Sequence, residues 1–168
     1  DLDRSLPAQY VDEMRGFVTG DWGNSLRSDR SVNELIGDAL RETAPLAFWA
    51  VVVSLVAAVL IGVTSARHPG SVRDHTFTVL AFAGIAMPTF WLGLLVIQGF
   101  TYGLQKRLGL EEPVFYSIPN PVESGVVSSF RELALPVMVL SVQLIAGWSR
   151  YQRAALRDEL HGDHIRTA

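Results

Sequence analysis

The sequence contains no cysteine. Disulfides, thiolate zinc sites and a cysteine nucleophile are therefore excluded from these residues. Lysine is almost as scarce. Lys106 stands alone in Gln105-Lys-Arg-Leu108 with no glycine-rich loop before it, so the chain carries no phosphate cradle for hydrolysing a nucleotide. Neither His-Glu-x-x-His nor Gly-x-Ser-x-Gly occurs. A basic excess is missing too: the net charge is −3, which implies no general attraction to nucleic acid. Charged residues make up only 18%, and the mean hydropathy of +0.25 is high for a water-soluble domain. The first residue is Asp1 rather than Met, and no signal-peptide pattern opens the chain. No helix stop signal closes it, because the sequence breaks off inside the polar stretch His164-Ile-Arg-Thr-Ala168. It reads as an internal piece of a longer protein.

The few charges are unevenly placed. Asp, Glu, Lys, Arg and His are all absent from Ala44 to Ala66, from Thr76 to Gln105 and from Leu133 to Ser149. A bilayer core ~30 Å thick needs about 20 apolar residues at ~1.5 Å each. The first two runs meet that, which predicts spans over about 45–66 and 77–99. The third, about 133–150, is short, but Trp148 and Tyr151 suit an interface and Arg150 has the length to snorkel. Arginines in the short 67–76 loop and in the tail 151–168 place both on the cytoplasmic side, with 1–43 and the Pro/Gly-rich connection 101–132 outside.

Residues 1–43 are acidic and polar. Tyr10, Met14, Phe17 and Val18 recur at helical spacing, Gly20-Asp-Trp-Gly23 is a turn signal, and Ser31 with Glu34 has the spacing of a capping box ahead of Leu35, Ile36 and Leu40. Short amphipathic helices are expected in this extracytoplasmic segment.

Within the first span, Ala50, Ser54, Ala58, Gly62 and Ala66 fall every fourth residue and form a ridge of small side chains that admits a close helix neighbour. Generic helix packing is the larger part of that signal. Gly99 and Gly103 make a second, weaker small pair. Pro88 removes a backbone hydrogen bond in mid-span and predicts a kink. No span holds an ionisable side chain, which argues against a proton- or ion-coupled carrier. Energy for any transport must come from elsewhere. His161, Asp163 and His164 crowd together without a fourth ligand and read as a solvated helix end, not a metal site. His68 and His75 read as interface residues. No cofactor is implied.

Several strings go further than composition. Leu2-Asp-Arg-Ser-Leu-Pro-Ala-Gln-Tyr10, Gly20-Asp-Trp-Gly-Asn-Ser-Leu26 and Val32-Asn-Glu-Leu-Ile36 resemble the external segment of the dipeptide and oligopeptide ABC permeases. Ile85-Ala-Met-Pro-Thr-Phe-Trp-Leu-Gly93 resembles the third helix of that family. Leu133-Ala-Leu-Pro136 with Arg150, Arg153 and Ala154, then Asp163-His-Ile-Arg-Thr-Ala168, resemble its fourth helix and cytoplasmic extension. The strings run in order along nearly the whole chain.

That resemblance implies an all-α membrane protein: part of a type I ABC importer permease bundle, with about three transmembrane helices of six, in a bacterial cytoplasmic (inner) membrane. It implies as partners a second permease subunit, two ATP-binding subunits, an extracytoplasmic substrate-binding protein and the lipid bilayer. The permease itself would not be an enzyme. Asp163, Arg166, Thr167 and Ala168 would open the loop that couples to the ATPase, whose following glycine is absent, so this piece alone is not expected to transport. His164 stands where relatives more often carry tyrosine. Met87, Pro88, Phe90 and Trp91 are expected on the translocation path, with a packed aromatic helix face as an equal reading. The transported solute is expected to be a di- or oligopeptide. Nickel or another small solute, and a non-transporting membrane scaffold, are the alternatives.

Overall fold

The computed structural model describes residues 5–118 and 125–160. These residues form helices joined by turns, with a single isolated bridge, Asn24 to Ser31, as their only β pairing. Two compact units divide the chain at Pro45 and Leu46, and each is described by itself.

In the first unit, α1 (Leu6–Thr19) ends at Gly20, whose φ of 80° is the left-handed cap that glycine adopts without cost. The chain then doubles back. Trp22 stacks on Phe17 at 6.2 Å between ring centroids and donates its indole N–H to the Phe17 carbonyl. The Asn33 amide donates to the Gly20 carbonyl, and Val32 N–H to that of Gly23. Gly20-Asp-Trp-Gly23 is thus a turn tied to the start of α2 (Val32–Arg67). Arg30 pairs with Asp38 at 2.7 Å on an exposed surface, where an ion pair contributes little. Tyr10, Phe17 and Val18 are all exposed.

The amphipathic stretch and the first apolar run, read as separate elements, belong to one helix: α2 continues through Pro45 for 36 residues. At ~1.5 Å per residue it is longer than a bilayer core, and its charge-free part alone matches that thickness.

The second unit is inside-out by the standard of a soluble protein. Its large apolar side chains face outward, among them Phe48, Leu60, Phe90 and Leu94, while Ser54, Ser65, Asp74, Ser141 and Ser149 are buried. Lipid is as apolar as leucine, so helices here gain from close approach and internal hydrogen bonds, not from burying leucines. The ridge Ala50, Ser54, Ala58, Gly62 and Ala66 is buried throughout. It meets α6 (Val126–Leu160): the Ser141 hydroxyl donates across the seam to the Ala50 carbonyl (3.3 Å), and the Ser54 hydroxyl, which donates to the Ala50 carbonyl of its own helix, lies 3.4 Å from the Ser141 carbonyl. A Cβ at Gly62 would lie 2.6 Å from Cγ of Gln152.

The largest departure from the expected spans is at Pro88. Instead of one kinked helix over 77–99, α3 (Val72–Ala86) and the helical run Thr89–Leu108, which opens with α4 (Thr89–Val96), diverge by 111°. The reason is local. Met87 precedes a proline and takes extended angles (φ −78°, ψ 128°), as the proline ring demands, and Pro88 is extended in turn. Beyond α4 the helix widens to a π-helical stretch, Ile97–Gly103, and continues as α5 (Leu104–Leu108). Gly103 suits the wider turn, since a Cβ there would meet the Gln98 carbonyl, five residues back, at 3.1 Å. The helical segments therefore reach into the expected 101–132 connection from both sides. Gly109 (φ 63°) ends α5, and Arg131 on α6 holds the following loop by donating to the carbonyls of Pro113 (2.6 Å) and Val114 (2.9 Å) while covering the Tyr116 ring. By length and apolarity α2 and α6 are able to cross a membrane, and so is the bent α3–α5 pair if counted as one crossing.

Replacing Gly62 by leucine is expected to force α2 from α6 and to destabilise the fold by about 1–3 kcal/mol, the usual cost of overpacking. Gly37→Ala, with open space around its Cβ, is expected to change stability by less than about 1 kcal/mol. Unfolding of the purified chain in mixed detergent micelles compares the two.

Candidate functional site

The seam between α3–α4 and α6 concentrates the polar chemistry of the second unit. It has an upper part at the Met87–Pro88 break and a lower part around Asp74.

At the break, two consecutive extended residues interrupt the helical ladder where the sequence is apolar on both sides. Backbone groups released in such a place need partners from the protein itself. Gln143 on α6 supplies one: its amide donates to the Thr89 hydroxyl at 2.9 Å and approaches the Met87 carbonyl at 3.4 Å. Met87 packs against the small core of Leu92, Val96 and Leu135, and Pro88 caps the start of α4. Phe90 and Trp91 are turned outward, 73% and 46% exposed. The four residues read as a group are thus divided between a core contact, a cap and an outer surface. Sequence reasoning did not single out Gln143. Its signal was there, as the only side-chain amide in the charge-free run 133–149.

Contacts with α6 advance in one direction across the break. Gly84 faces Val142 and Ala146, Thr89 reaches Gln143, and Leu92 and Val96 join Leu135. The contacts of α3 and then of α4 thus fall in reverse order along α6, from Ala146 to Leu135. Beside α4 an apolar cavity of about 330 Å³ is lined by Gly93, Ile97, Tyr116, Leu135, Pro136 and Val139.

The lower part is built on a carboxylate. Asp74, in the first turn of α3, is only 5% exposed. It accepts from the Ser65 hydroxyl on α2, from Gly70 N–H in the α2–α3 turn (3.0 Å), from Arg153 (2.6 Å) and from Arg157 (3.0 Å). Arg153 donates also to the Thr78 hydroxyl at 2.7 Å, and the Arg150 guanidinium lies 4.9 Å from the centroid of the Phe82 ring. Three arginines that read as tail residues thus face α3. That explains why the apolar run of α6 is short: its next turns are satisfied by protein. A groove of about 660 Å³ opens beside them, lined by Ile85, Gly147, Arg150, Tyr151, Ala154 and Asp158 among others. Removing one partner of a buried ion pair strands the other, at about 3–5 kcal/mol. Asp74 is therefore costly to change.

Asp163, Arg166, Thr167 and Ala168, like His161 and His164, lie outside the described residues. Among the described residues, no three His, Asp or Glu side chains converge in a way that suits a metal ion.

Gln143→Leu is expected to leave the break without its donor and to lower stability in micelles by about 1 kcal/mol, the scale of an interhelical hydrogen bond in a membrane protein. Thr89→Val is expected to lose less, and the double variant no more than Gln143→Leu alone. A double-mutant cycle measures that coupling.

Residues 58–168 match the family described as the binding-protein-dependent transport system inner membrane component. The oligopeptide transport system permease protein AppB of Bacillus subtilis is 34% identical over 161 residues, covering 95% of this chain and 49% of that protein. A putative peptide permease of Brucella ovis is 34% identical over 99% of this chain and 51% of its own length. The probable D,D-dipeptide transport system permease protein DdpB of Escherichia coli is 32% identical over 99% of this chain and 53% of its own. This chain spans about half the length of the curated relatives it matches. With a family match over two-thirds of its residues, a helical bundle of membrane-spanning composition and polar groups turned inward, the chain belongs to the inner membrane components of binding-protein-dependent transport systems.

Proposed function

We propose that this chain is the central part of a permease subunit in an ABC importer that moves di- or oligopeptides across the bacterial cytoplasmic membrane. The observation that carries the proposal is the similarity, along 95% or more of the chain, to relatives named as oligopeptide and D,D-dipeptide transport permeases. In this reading a second permease subunit completes the pathway, an external binding protein delivers the peptide, and two separate ATP-binding subunits hydrolyse ATP. The segment after α6, with Asp163, Arg166, Thr167 and Ala168, begins the loop that docks on the ATPase.

The geometry gives this reading a mechanism. Alternating access needs rigid bodies that move against one another around a fixed gate. The Met87–Pro88 break, braced by Gln143, lets α4 lean away from α3, and in this reading angles α4 and the following π-helical stretch toward the path. Met87, Pro88, Phe90 and Trp91 flank that angle. Phe90 and Trp91, outward here, are available to a second permease subunit or to lipid. Small residues from Ala50 to Ala66 hold α2 to α6 as the support.

Expressed as a full-length reading frame with its partners, the protein is expected to restore growth of a peptide-uptake mutant on a dipeptide or tripeptide that supplies a required amino acid. Growth should depend on the external binding protein. Nickel accumulation without peptide uptake would move the assignment to a metal-ion permease, and neither activity would leave a scaffold. The orientation has its own check, made in a full-length chain from which any cysteine outside these residues has been removed. Glu111→Cys is expected to react with an impermeant maleimide in intact cells, and Arg73→Cys only after the membrane is opened.

A further inference from the structure

Three arginines of α6 meet three residues of α3 at matching helical intervals. Asp74, Thr78 and Phe82 follow one another every fourth residue, and Arg157, Arg153 and Arg150 face them in reverse order. The three positions on α3 are unequal. Phe82 offers a ring face, Thr78 a hydroxyl and Asp74 a full charge, buried and already tied to α2 through Ser65 and to the α2–α3 turn through Gly70. Beyond this ladder Gly84 lies close to Ala146, a contact of small groups that brings the helices together without strongly interlocking them. Sliding α6 by one turn toward its C-terminal end would set Arg153 at Asp74's outer position and Arg150 at Thr78. The arginine pattern itself nearly tolerates that slip. The carboxylate does not, because in the observed register it receives two guanidinium groups, one on each oxygen.

We propose that Asp74 is a positioning residue: it sets the register of the α6 extension against α3, so that the end of α2, the α2–α3 turn and the extension move as one body. The proposal rests on the permease reading, in which α6 runs on to the loop that meets the ATPase, and it goes beyond it by naming the residue that keeps that movement from being lost as slippage. A stroke delivered at the C-terminal end of α6 reaches α2 and α3 only if the seam does not yield.

Two cysteine pairs, introduced into the full-length chain with any cysteine outside these 168 residues replaced and assembled with its partners, read the register directly. Gly84→Cys with Ala146→Cys reports the observed register, since a Cβ at Gly84 would lie 3.5 Å from that of Ala146, within disulfide range. Gly84→Cys with Met138→Cys reports the register one turn away. With Asp74 present, oxidation is expected to link the first pair and to leave the second roughly tenfold behind. Asp74→Asn is expected to raise the second product about fivefold, and Asp74→Glu to return it toward the parent. In the chain without added cysteines, Asp74→Asn is expected to lower peptide moved per ATP hydrolysed by about fivefold, with Asp74→Glu again recovering most of it. An unchanged cross-linking pattern in Asp74→Asn overturns the positioning role, and a loosened register with unchanged transport per ATP overturns its part in coupling. Should Asp74→Asn not accumulate in the membrane, Arg157→Gln, which keeps the Arg153 contact, is expected to raise the second product about twofold, and no rise overturns the proposal. A parent complex that moves no peptide sinks the permease reading instead, while the cross-linking still decides the register.

Discussion

Polar groups placed among apolar ones must find their partners inside the protein, and most of the second unit follows from that constraint. Ser54 and Ser141, facing each other across the seam between α2 and α6, both donate to the Ala50 carbonyl. The break at Met87–Pro88 is answered by the amide of Gln143. Asp74, which would be prohibitively costly alone in such surroundings, collects four donors from three directions. In each case at least one partner sits on α6. That helix is therefore the common wall against which α2, α3 and α4 are arranged, and small residues at the contacts let it come near enough for short side chains to reach.

The same constraint separates stiff from adaptable places. Around Asp74, helix ends and a turn are joined by charge, and the geometry has little freedom. At the break, two extended residues and one amide hold α3 and α4 at a wide angle, an arrangement with fewer ties. The seam is thus tightly tied around Asp74 and more sparsely held at the break.

Much was legible in the residues taken one after another. Charge-free runs marked the apolar helices because the hydrocarbon core tolerates little else, and a spacing of four marked the buried ridge from Ala50 to Ala66 because an α-helix brings such positions onto one face. Pro88 announced a disturbance. Its size was not legible. Pro45 and Pro136 are equally proline, yet α2 and α6 run through them, whereas at Pro88 the chain turns by 111° with Gln143 opposite to receive it. Gln143, Arg153 and Arg157 were visible as residue types, but their tasks depend on what faces them.

The sequence by itself therefore determined the class of solvent, the helical period and the places where the chain is interrupted, since these depend on neighbours within a few residues. Only the tertiary structure decided that Asp74, within the stretch 67–76 read as a loop, and two arginines some eighty residues later form a single buried node. Such a pairing is long-range, and a lone Asp in a loop with arginines in a tail has the same local pattern as solvated charge. What distinguishes them is burial, and burial is a property of the packed helices.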